Sequence, residues 1–237
     1  MHDIHLVWFK RDLRIRDHAA LTAAAARGPV LCLYVYEPAL LSGPDHDAMH
    51  LGFVNECLDD LERSLAERGA TLHRRTGDLP AVFEALQHEL ASLDEPSRIA
   101  SIWAHEETTG WISYQRDRAV RRWCRAEGVP LHELPQTGVV RRLASRDGWA
   151  TAWEARMAPV PLPAPRVIES VTLRERVSGQ SPLAYARSAC ARTDVQHGGE
   201  SEARATLRSF LRERGVDYRR AMSSPVTSPD ACSRLSA

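Results

Sequence analysis

Apolar positions in the first half of the chain alternate between short continuous runs and segments with helical spacing. The strand-like segments lie at 5–9, 30–36, 71–75, 98–104 and 131–134, and we predict a strand at each. Between them, apolar residues recur every three or four positions, which predicts amphipathic helices. Nearly continuous apolar strands that alternate with helices are typical of a parallel sheet covered on both faces. The pattern therefore predicts a doubly wound α/β fold with a five-stranded parallel sheet.

Three of the predicted helices have recognisable ends. The first covers 50–68, and Gly69 follows where a left-handed C-terminal cap is expected. The second begins near Pro80, a residue suited to a first helical turn. The third covers about 110–127, with Gly128 as its stop. Each helix thus ends shortly before the next predicted strand.

The alternation of strands and helices stops after about residue 135. A proline-rich run at 158–168 cannot pair as a central strand or continue a helix, so we expect a surface linker there. Beyond it, 198–215 has apolar residues at helical spacing but no neighbouring element to cover them. The expected division is an α/β domain (1–135), an interdomain linker (136–197) and the start of a helical domain (198–237).

Composition excludes several classes of protein. The 237 residues include 31 basic and 31 acidic side chains, so no whole-chain charge attracts nucleic acid. Five scattered cysteines form no C-x-x-C pair, which fits a reducing compartment and argues against a disulfide framework. The chain shows neither a signal peptide nor a membrane-spanning stretch. We therefore expect a cytoplasmic protein with no membrane partner.

The most unusual segment is the charged turn at 10–17, directly after the first strand. Ligands of a doubly wound sheet bind at this edge, yet no glycine-rich phosphate loop is present. One interpretation is an ion-paired turn between Arg11 and Asp12. In another, Glu106 and Glu107 after the fourth strand form the opposite wall, where they pair with the arginines or face a ligand. Pairing is the simpler expectation.

Two further clusters have chemical potential. His46 and His50 stand four residues apart beside Asp45 and Asp47, a spacing that can present metal ligands. The alternative, which we favour, is a surface loop in which Asp47 caps the next helix. No fourth ligand is evident, so no metal site is expected. A Gly-x-Ser-x-Gly elbow is also absent, which leaves hydrolytic chemistry without support.

The C-terminal segment contains a possible anion site. Ser228 followed by Pro229 and Asp230 predicts the N-cap and first turn of a helix. In "CSRLS", which opens a helix in this interpretation, Ser233, Ser236 and Arg234 would favour a phosphate. The plain alternative is a serine-rich helix start with no ligand.

Several stretches in this order resemble the DNA photolyase and cryptochrome family. They are "VWFKRDLRIRDHAAL" (7–21), "VLCLYVYEPALL" (30–41), helix 51–65 with "GATLHRRTGD" (69–78), "GGESEARATLRSFL" (198–211) and "DYRRAMSSPVTSPDACSRLS" (217–236). The resemblance implies an N-terminal α/β domain, which carries a light-harvesting antenna in many members, and a helical domain that binds FAD. In photolyases the light-excited reduced flavin splits pyrimidine dimers in damaged DNA. Cryptochromes use the flavin for signalling.

The resemblance also implies binding residues. Contacts to the FAD phosphates are expected from Tyr218, Ser233, Arg234, Leu235 and Ser236, with Cys232 where the family commonly has threonine. A possible antenna crevice is lined by Arg11, Asp12, Glu106 and Glu107. The antenna chromophore stays unassigned, because Ile112 and Ser113 stand where folate-binding members carry an Asn-Glu pair. His18 follows Asp17 at a position where the family commonly has asparagine. No catalytic residue is assigned.

The chain has about half of the family's usual length and ends inside the first phosphate-contacting motif. We therefore expect a photolyase or cryptochrome chain that is inactive in this truncated form. One alternative is a non-catalytic cofactor-binding module, or one that docks on a separately encoded helical FAD domain. Another is a fragment of a blue-light photoreceptor.

Overall fold

The sheet has the predicted parallel architecture. The computed structural model describes residues 1–44, 46–140, 143–173 and 195–234. The strands are β1 (His2–Phe9), β2 (Val30–Tyr36), β3 (Leu72–Thr76), β4 (Ser97–His105) and β5 (Leu131–Leu134). They pair in the order β3-β2-β1-β4-β5, and every pair is parallel. The predicted doubly wound α/β fold is therefore confirmed.

Helices follow the strands much as the apolar spacing predicts. They are α1 (Ala19–Ala25), α2 (Pro38–Leu41), α3 (Ala48–Ala66), α4 (Ala81–Ala91), α5 (Trp111–Glu127), α6 (Trp149–Met157), α7 (Glu200–Arg212), a 3₁₀ helix (Arg214–Asp217), α8 (Tyr218–Ala221) and α9 (Ser228–Ala231). Gly128 caps α5 in the left-handed conformation, with φ of 67°. Pro80 is the N-cap of α4, one position before the predicted first turn. None of the helices in the described residues has the length and apolarity needed to cross a bilayer.

Two apolar layers sandwich the central strand β1. Its residues alternate, so that Trp8 joins the layer under α4 and α5, whereas Phe9 joins the layer under α1 and α3. In the first layer Phe83 stands edge-on to Trp8, with ring centroids 5.5 Å apart, and also contacts Trp123. Leu58 of α3 is fully buried in the second layer.

Residues 136–140 and 143–173 follow the α/β body and contain a helix of their own. Arg156 of α6 donates to the Thr137 carbonyl (2.7 Å), and Trp149 Nε1 donates to the Gly138 carbonyl (3.1 Å). The chain then returns to the amino end of β2, where the Val30 amide donates to the Glu169 carbonyl (2.8 Å). Ile168 is buried beside it. The carboxyl-terminal part of the segment is therefore attached to the body.

The C-terminal segment, residues 195–234, has a more open structure. Helix α7 buries none of its residues, and Leu207 and Leu211 are 40% and 71% exposed. Its apolar stripe is thus largely uncovered, as expected. The predicted N-cap at Ser228 is wrong, because α9 begins at Ser228 and Thr227 precedes it as the cap.

Candidate functional site

The candidate site lies at the carboxyl ends of β1 and β4, where the strand order reverses. From β1 the chain proceeds outward to β2 and β3, then returns to place β4 on the other side of β1. In a doubly wound sheet this switch point is the usual ligand crevice. The charged turn 10–17 leaves β1 here, and residues 106–110 leave β4. The predicted walls of the crevice are therefore neighbours in the structure.

A buried arginine from α5 occupies the crevice. The Arg116 guanidinium donates to Glu37 Oε1 at 2.6 Å, to Glu107 Oε2, and through Nε to Asp117 Oδ1 at 3.0 Å. All four side chains are less than one tenth exposed. Planar guanidinium groups suit such multiple carboxylate contacts. The protein thus fills its own switch point with an ion network.

Trp8 forms the floor beneath this network. The Lys10 ammonium lies 4.2 Å from the centroid of the indole ring, and the Arg116 guanidinium carbon lies 4.8 Å from it. Both distances are typical of cation–π contacts. Lys10 Nζ also stands 3.5 Å from Asp117 Oδ1. The only lysine of the chain is therefore buried inside the network, where it adds a second positive charge.

The interior network carries more negative than positive charge. Three carboxylates, from Glu37, Glu107 and Asp117, face the cations Lys10 and Arg116. Burial raises the pKa of Glu37 to about 7, although Arg116 opposes the shift. For Glu107, burial acts in the same direction, but Arg116 and Thr109 outweigh it and lower the pKa. Glu37 is consequently the member of the network that takes up a proton near neutral pH.

Asp12 belongs to a second buried cluster next to the network. Its Oδ2 atom accepts a hydrogen bond from His105 Nδ1 at 2.6 Å. The same atom lies 2.9 Å from His18 Nε2, but the angle of that contact does not meet the criteria for a hydrogen bond. Its Oδ1 atom accepts from the Lys10 amide at 2.8 Å. Burial alone would raise the pKa of Asp12, yet the two imidazoles hold it well below the ordinary value. The carboxylate therefore stays charged and ties β1 to β4 and α1.

The atoms of this cluster are close enough together to raise the question of a metal ion. His18 Nδ1 accepts the Leu21 amide at 3.0 Å and thereby caps α1. The proton of the neutral ring must then sit on Nε2, the atom that faces Asp12. A metal ligand needs that nitrogen unprotonated, with the other nitrogen as the donor. The arrangement fits one carboxylate shared by two imidazoles better than it fits a metal site.

The four predicted crevice residues divide into two interior and two rim positions. Asp12 and Glu107 are buried, whereas Arg11 and Glu106 are exposed. Arg11 Nε stands 3.5 Å from Glu107 Oε1, so the expected pairing across the crevice is confirmed. The interpretation in which Arg11 pairs with Asp12 is wrong, because the imidazoles occupy Asp12. The Glu106 amide donates to the Leu134 carbonyl at 2.8 Å and joins β4 to the end of β5.

Most members of the interior network were not identified from the sequence. Lys10 belongs to the charged turn, but Glu37, His105, Arg116 and Asp117 had no assigned role. A usable signal existed for two of them, since Glu37 and His105 end apolar runs that form β2 and β4. No such signal marked Arg116, because an arginine on an amphipathic helix is ordinarily exposed.

The structure also decides between the two interpretations of the histidine pair at residues 46 and 50. Asp47 accepts the Met49 amide at 2.8 Å, and His50 Nδ1 accepts the Asp47 amide at 3.3 Å. This is the reciprocal pattern of a capping box at the start of α3. The predicted capping role of Asp47 is therefore confirmed. Asp45 lies outside the described residues.

The residues predicted to contact FAD phosphates are only partly described. Tyr218 stands edge-on to Phe210, with centroids 5.7 Å apart. Arg234 has a positive φ of 57°, and its Nε donates to the Pro229 carbonyl at 2.8 Å. Ser233 is half-buried. Leu235 and Ser236 lie outside the described residues. Cys232, Ser233 and Arg234 follow the end of α9 at Ala231 and are not helical, and the rest of the expected helix start at "CSRLS" lies outside the described residues.

The described part of this segment does not fit a buried flavin. Arg214 donates to the carbonyls of Thr206, Cys232 and Ser233 and to Ser209 Oγ. The Arg234 guanidinium is likewise taken by a backbone carbonyl. A flavin needs walls that enclose most of its surface. Among residues 195–234, α7 instead presents an open apolar face.

Comparisons with known proteins agree with this architecture. The family model for DNA photolyase matches residues 5–146. The chain is 37% identical over 97 residues to the deoxyribodipyrimidine photo-lyase of Salmonella typhimurium, covering 38% of this chain and 20% of that protein. It is 32% identical over 117 residues to the cryptochrome DASH of Oryza sativa, covering 44% of this chain and 18% of that protein.

A solved structure extends the match in fold. The class III photolyase of Agrobacterium tumefaciens superposes with a TM-score of 0.77 at 20% sequence identity, over 100% of this chain and 50% of that one. The chain thus spans about half the length of the solved relative, and less of the curated ones. Photolyases of this family bind FAD and act on damaged DNA. From the matched family model and the shared α/β body, the chain belongs to the DNA photolyase and cryptochrome family.

Proposed function

We propose that this polypeptide provides the α/β half of a photolyase or cryptochrome and needs a helical flavin-binding body to act. With that body it takes part in light-driven repair of pyrimidine dimers through reduced FAD, or in blue-light signalling. Alone, residues 1–237 carry out neither reaction. Damaged DNA is then a partner of the assembled protein, and the chain works in the cytoplasm.

The observation that carries this proposal is the contrast between a closed body and an open helix. The sheet is covered on both faces, whereas Leu207 and Leu211 of α7 face outward. Exposed apolar stripes of this kind mark a surface that another protein element covers. The partner we propose is an all-helical, FAD-binding body with a complementary apolar face. This matches a solved photolyase in which the chain accounts for half of the length.

For the antenna, we propose the rim of the crevice as the contact surface. Arg11 and Glu106 are the exposed members of the predicted set, while Asp12 and Glu107 hold the rim in place from below. The ion network around Arg116 occupies the interior of the crevice. An antenna chromophore therefore lies on the rim and does not penetrate to Trp8.

A repair assay tests the first part of the proposal. The purified chain is mixed with reduced FAD and an oligonucleotide that contains a thymine dimer, then illuminated with blue light. We expect no more repair than in a protein-free control. Repair above that control would contradict the proposed dependence on a helical body.

A binding assay tests the partner. The chain is mixed with the separately expressed helical half of a related photolyase, and complex formation is followed by size-exclusion chromatography. We expect a complex that Leu211→Asp abolishes and that Ala205→Asp, on the opposite side of α7, leaves intact. A colourless monomer with no complex for the unmodified chain would contradict the proposal.

The exposed face of α7 also favours a second candidate, a non-catalytic docking or cofactor-binding module. This candidate predicts that the chain forms its complex without any repair activity in the assembly. Measuring repair in the purified complex separates the two, because a working half-enzyme restores dimer splitting and a docking module does not.

A further inference from the structure

Helix α7 lacks a side chain that can cap its own N-terminus. Its N-cap residue is Gly199, with φ of 115°, and Gly198 precedes it. The first amides of a helix have no intrahelical acceptor, and a serine, threonine, asparagine or aspartate at the N-cap usually supplies one. Glycine cannot. The acceptors for these amides must therefore come from another part of the chain.

Helix α3 supplies them from one side. Glu56 Oε2 accepts the Gly198 amide at 2.6 Å, and Cys57 Sγ accepts the Gly199 amide at 3.1 Å. One turn further along, Asp60 accepts both the amide (3.1 Å) and the hydroxyl (2.9 Å) of Ser201. Asp60 thereby does for α7 what a local N-cap aspartate ordinarily does.

The first turn of α7 also contributes an acceptor to the α/β body. Glu200 Oε2 accepts the Ile15 amide at 2.9 Å, and Glu200 Oε1 lies 3.9 Å from Arg16 Nε. These residues belong to the charged turn 10–17. The carboxyl-terminal part of this turn therefore binds the helical segment, whereas its amino-terminal part contributes to the crevice.

The two glycines make this approach possible. A Cβ atom at Gly198 would overlap the Phe53 carbonyl, and one at Gly199 would lie 2.9 Å from Asp60 Cβ. The backbone of residues 198–199 therefore sits directly on α3. Asp60 stays ionised in this position. Burial would raise its pKa, but Ser201 and Arg63 hold it below the ordinary value.

We infer that Asp60 and Glu200 form a two-way carboxylate latch that holds α7 in one orientation on the α/β body and opens without unfolding that body. Helix α7 buries none of its residues, so its attachment depends on these polar contacts. The inward face of α3, with Leu58 and Leu61, belongs to the sheet core and is independent of the latch. Local opening at a low free-energy cost is expected for such a segment.

Amide hydrogen exchange on the full chain, read by mass spectrometry, tests this inference. In Asp60→Ala we expect peptides within 200–212 to exchange about tenfold faster, the loss of one helix cap. Peptides from β1 and β4 keep their protection. Asp60→Asn restores slow exchange, because an asparagine oxygen also accepts the Ser201 amide. The matched control is Asp59→Ala, which removes the neighbouring carboxylate that contacts Arg74.

Gly198→Val provides an independent route to the same opening, through steric overlap with α3. It should speed exchange in 200–212 and spare the strands. Unchanged exchange in 200–212 for both Asp60→Ala and Gly198→Val would overturn the latch. Equal acceleration in β1 and β4 would overturn it as well, since the contacts would then support the whole fold.

Discussion

The α/β body and the C-terminal segment use opposite means to stay in place. The body buries both faces of β1 under four helices, and Arg116 pairs with carboxylates inside the crevice. The segment 195–234 keeps its apolar helix face exposed and is attached through carboxylates at a helix start. Apolar burial gives the body its stability, whereas directional contacts give the segment its orientation. Substitutions should therefore affect the two regions very differently.

The largest contrast is expected between two apolar truncations. Phe83→Ala opens a cavity between Trp8 and Trp123 and should lower the free energy of unfolding by about 3–5 kcal/mol. Leu211→Ala removes an exposed side chain of α7 and should change it by less than about 0.5 kcal/mol. Urea denaturation followed by tryptophan fluorescence measures both. Similar losses would show that α7 belongs to the core.

A comparable loss is expected from the interior of the crevice. Arg116→Met leaves Glu37, Glu107 and Asp117 buried without their common partner and should cost about 3–5 kcal/mol. The matched control is Arg122→Met, which changes an exposed arginine on the same helix. Thermal unfolding at neutral pH compares them. Equal melting temperatures for the two variants would mean that the network contributes nothing to stability.

The excess negative charge of the network should appear as a pH dependence. Because the pKa of Glu37 is raised to about 7 in the folded protein, its contribution to stability is complete below its unfolded value of 4.5 and is lost as the pH rises through 7. Glu37→Gln removes this titration. The stability of the variant relative to the unmodified chain should improve by roughly 2 kcal/mol between pH 5 and pH 8.

Urea denaturation at several pH values measures that difference. Comparing the two proteins at each pH cancels the titration of Asp12, whose pKa is lowered and acts in the opposite direction. If the difference in unfolding free energy between the two proteins is constant across this pH range, the pKa of Glu37 is not raised in the folded protein.

A smaller effect is expected at the cap of α1. His18→Ala removes the acceptor of the Leu21 amide and one neighbour of Asp12, and should cost about 1 kcal/mol. His18→Asn keeps a capping oxygen and should recover most of that loss. Thermal unfolding separates the two variants. Equal melting temperatures for the alanine and asparagine variants would show that His18 does not stabilise the protein by capping α1.

Periodicity was sufficient to predict the body but not its interior chemistry. The strands at 30–36 and 131–134 have the predicted bounds, because a proline precedes each one and Glu37 or Pro135 follows it. The fold class follows from strand and helix alternation alone. Helix caps were less predictable, as Ser228 shows, since several neighbouring residues can serve and packing selects one of them.

Side-chain partners were the least predictable feature. Arg11 and Asp12 are adjacent in sequence and carry opposite charges, yet Asp12 binds two histidines that come from a different strand and from the start of α1. The partner of Glu200 is 185 residues away. Such contacts depend on which elements the strand order of the sheet places side by side. That order cannot be predicted from the local spacing of apolar residues.

The most direct test of the contrast between body and segment is native-state hydrogen exchange of the full chain over a series of low urea concentrations. We predict that peptides from β1, β2 and β4 exchange only through a large, urea-dependent opening, whereas peptides within 200–212 exchange faster through a small, urea-independent one. A single urea dependence shared by α7 and the central strands would contradict the account, because the segment would then be part of one cooperative unit.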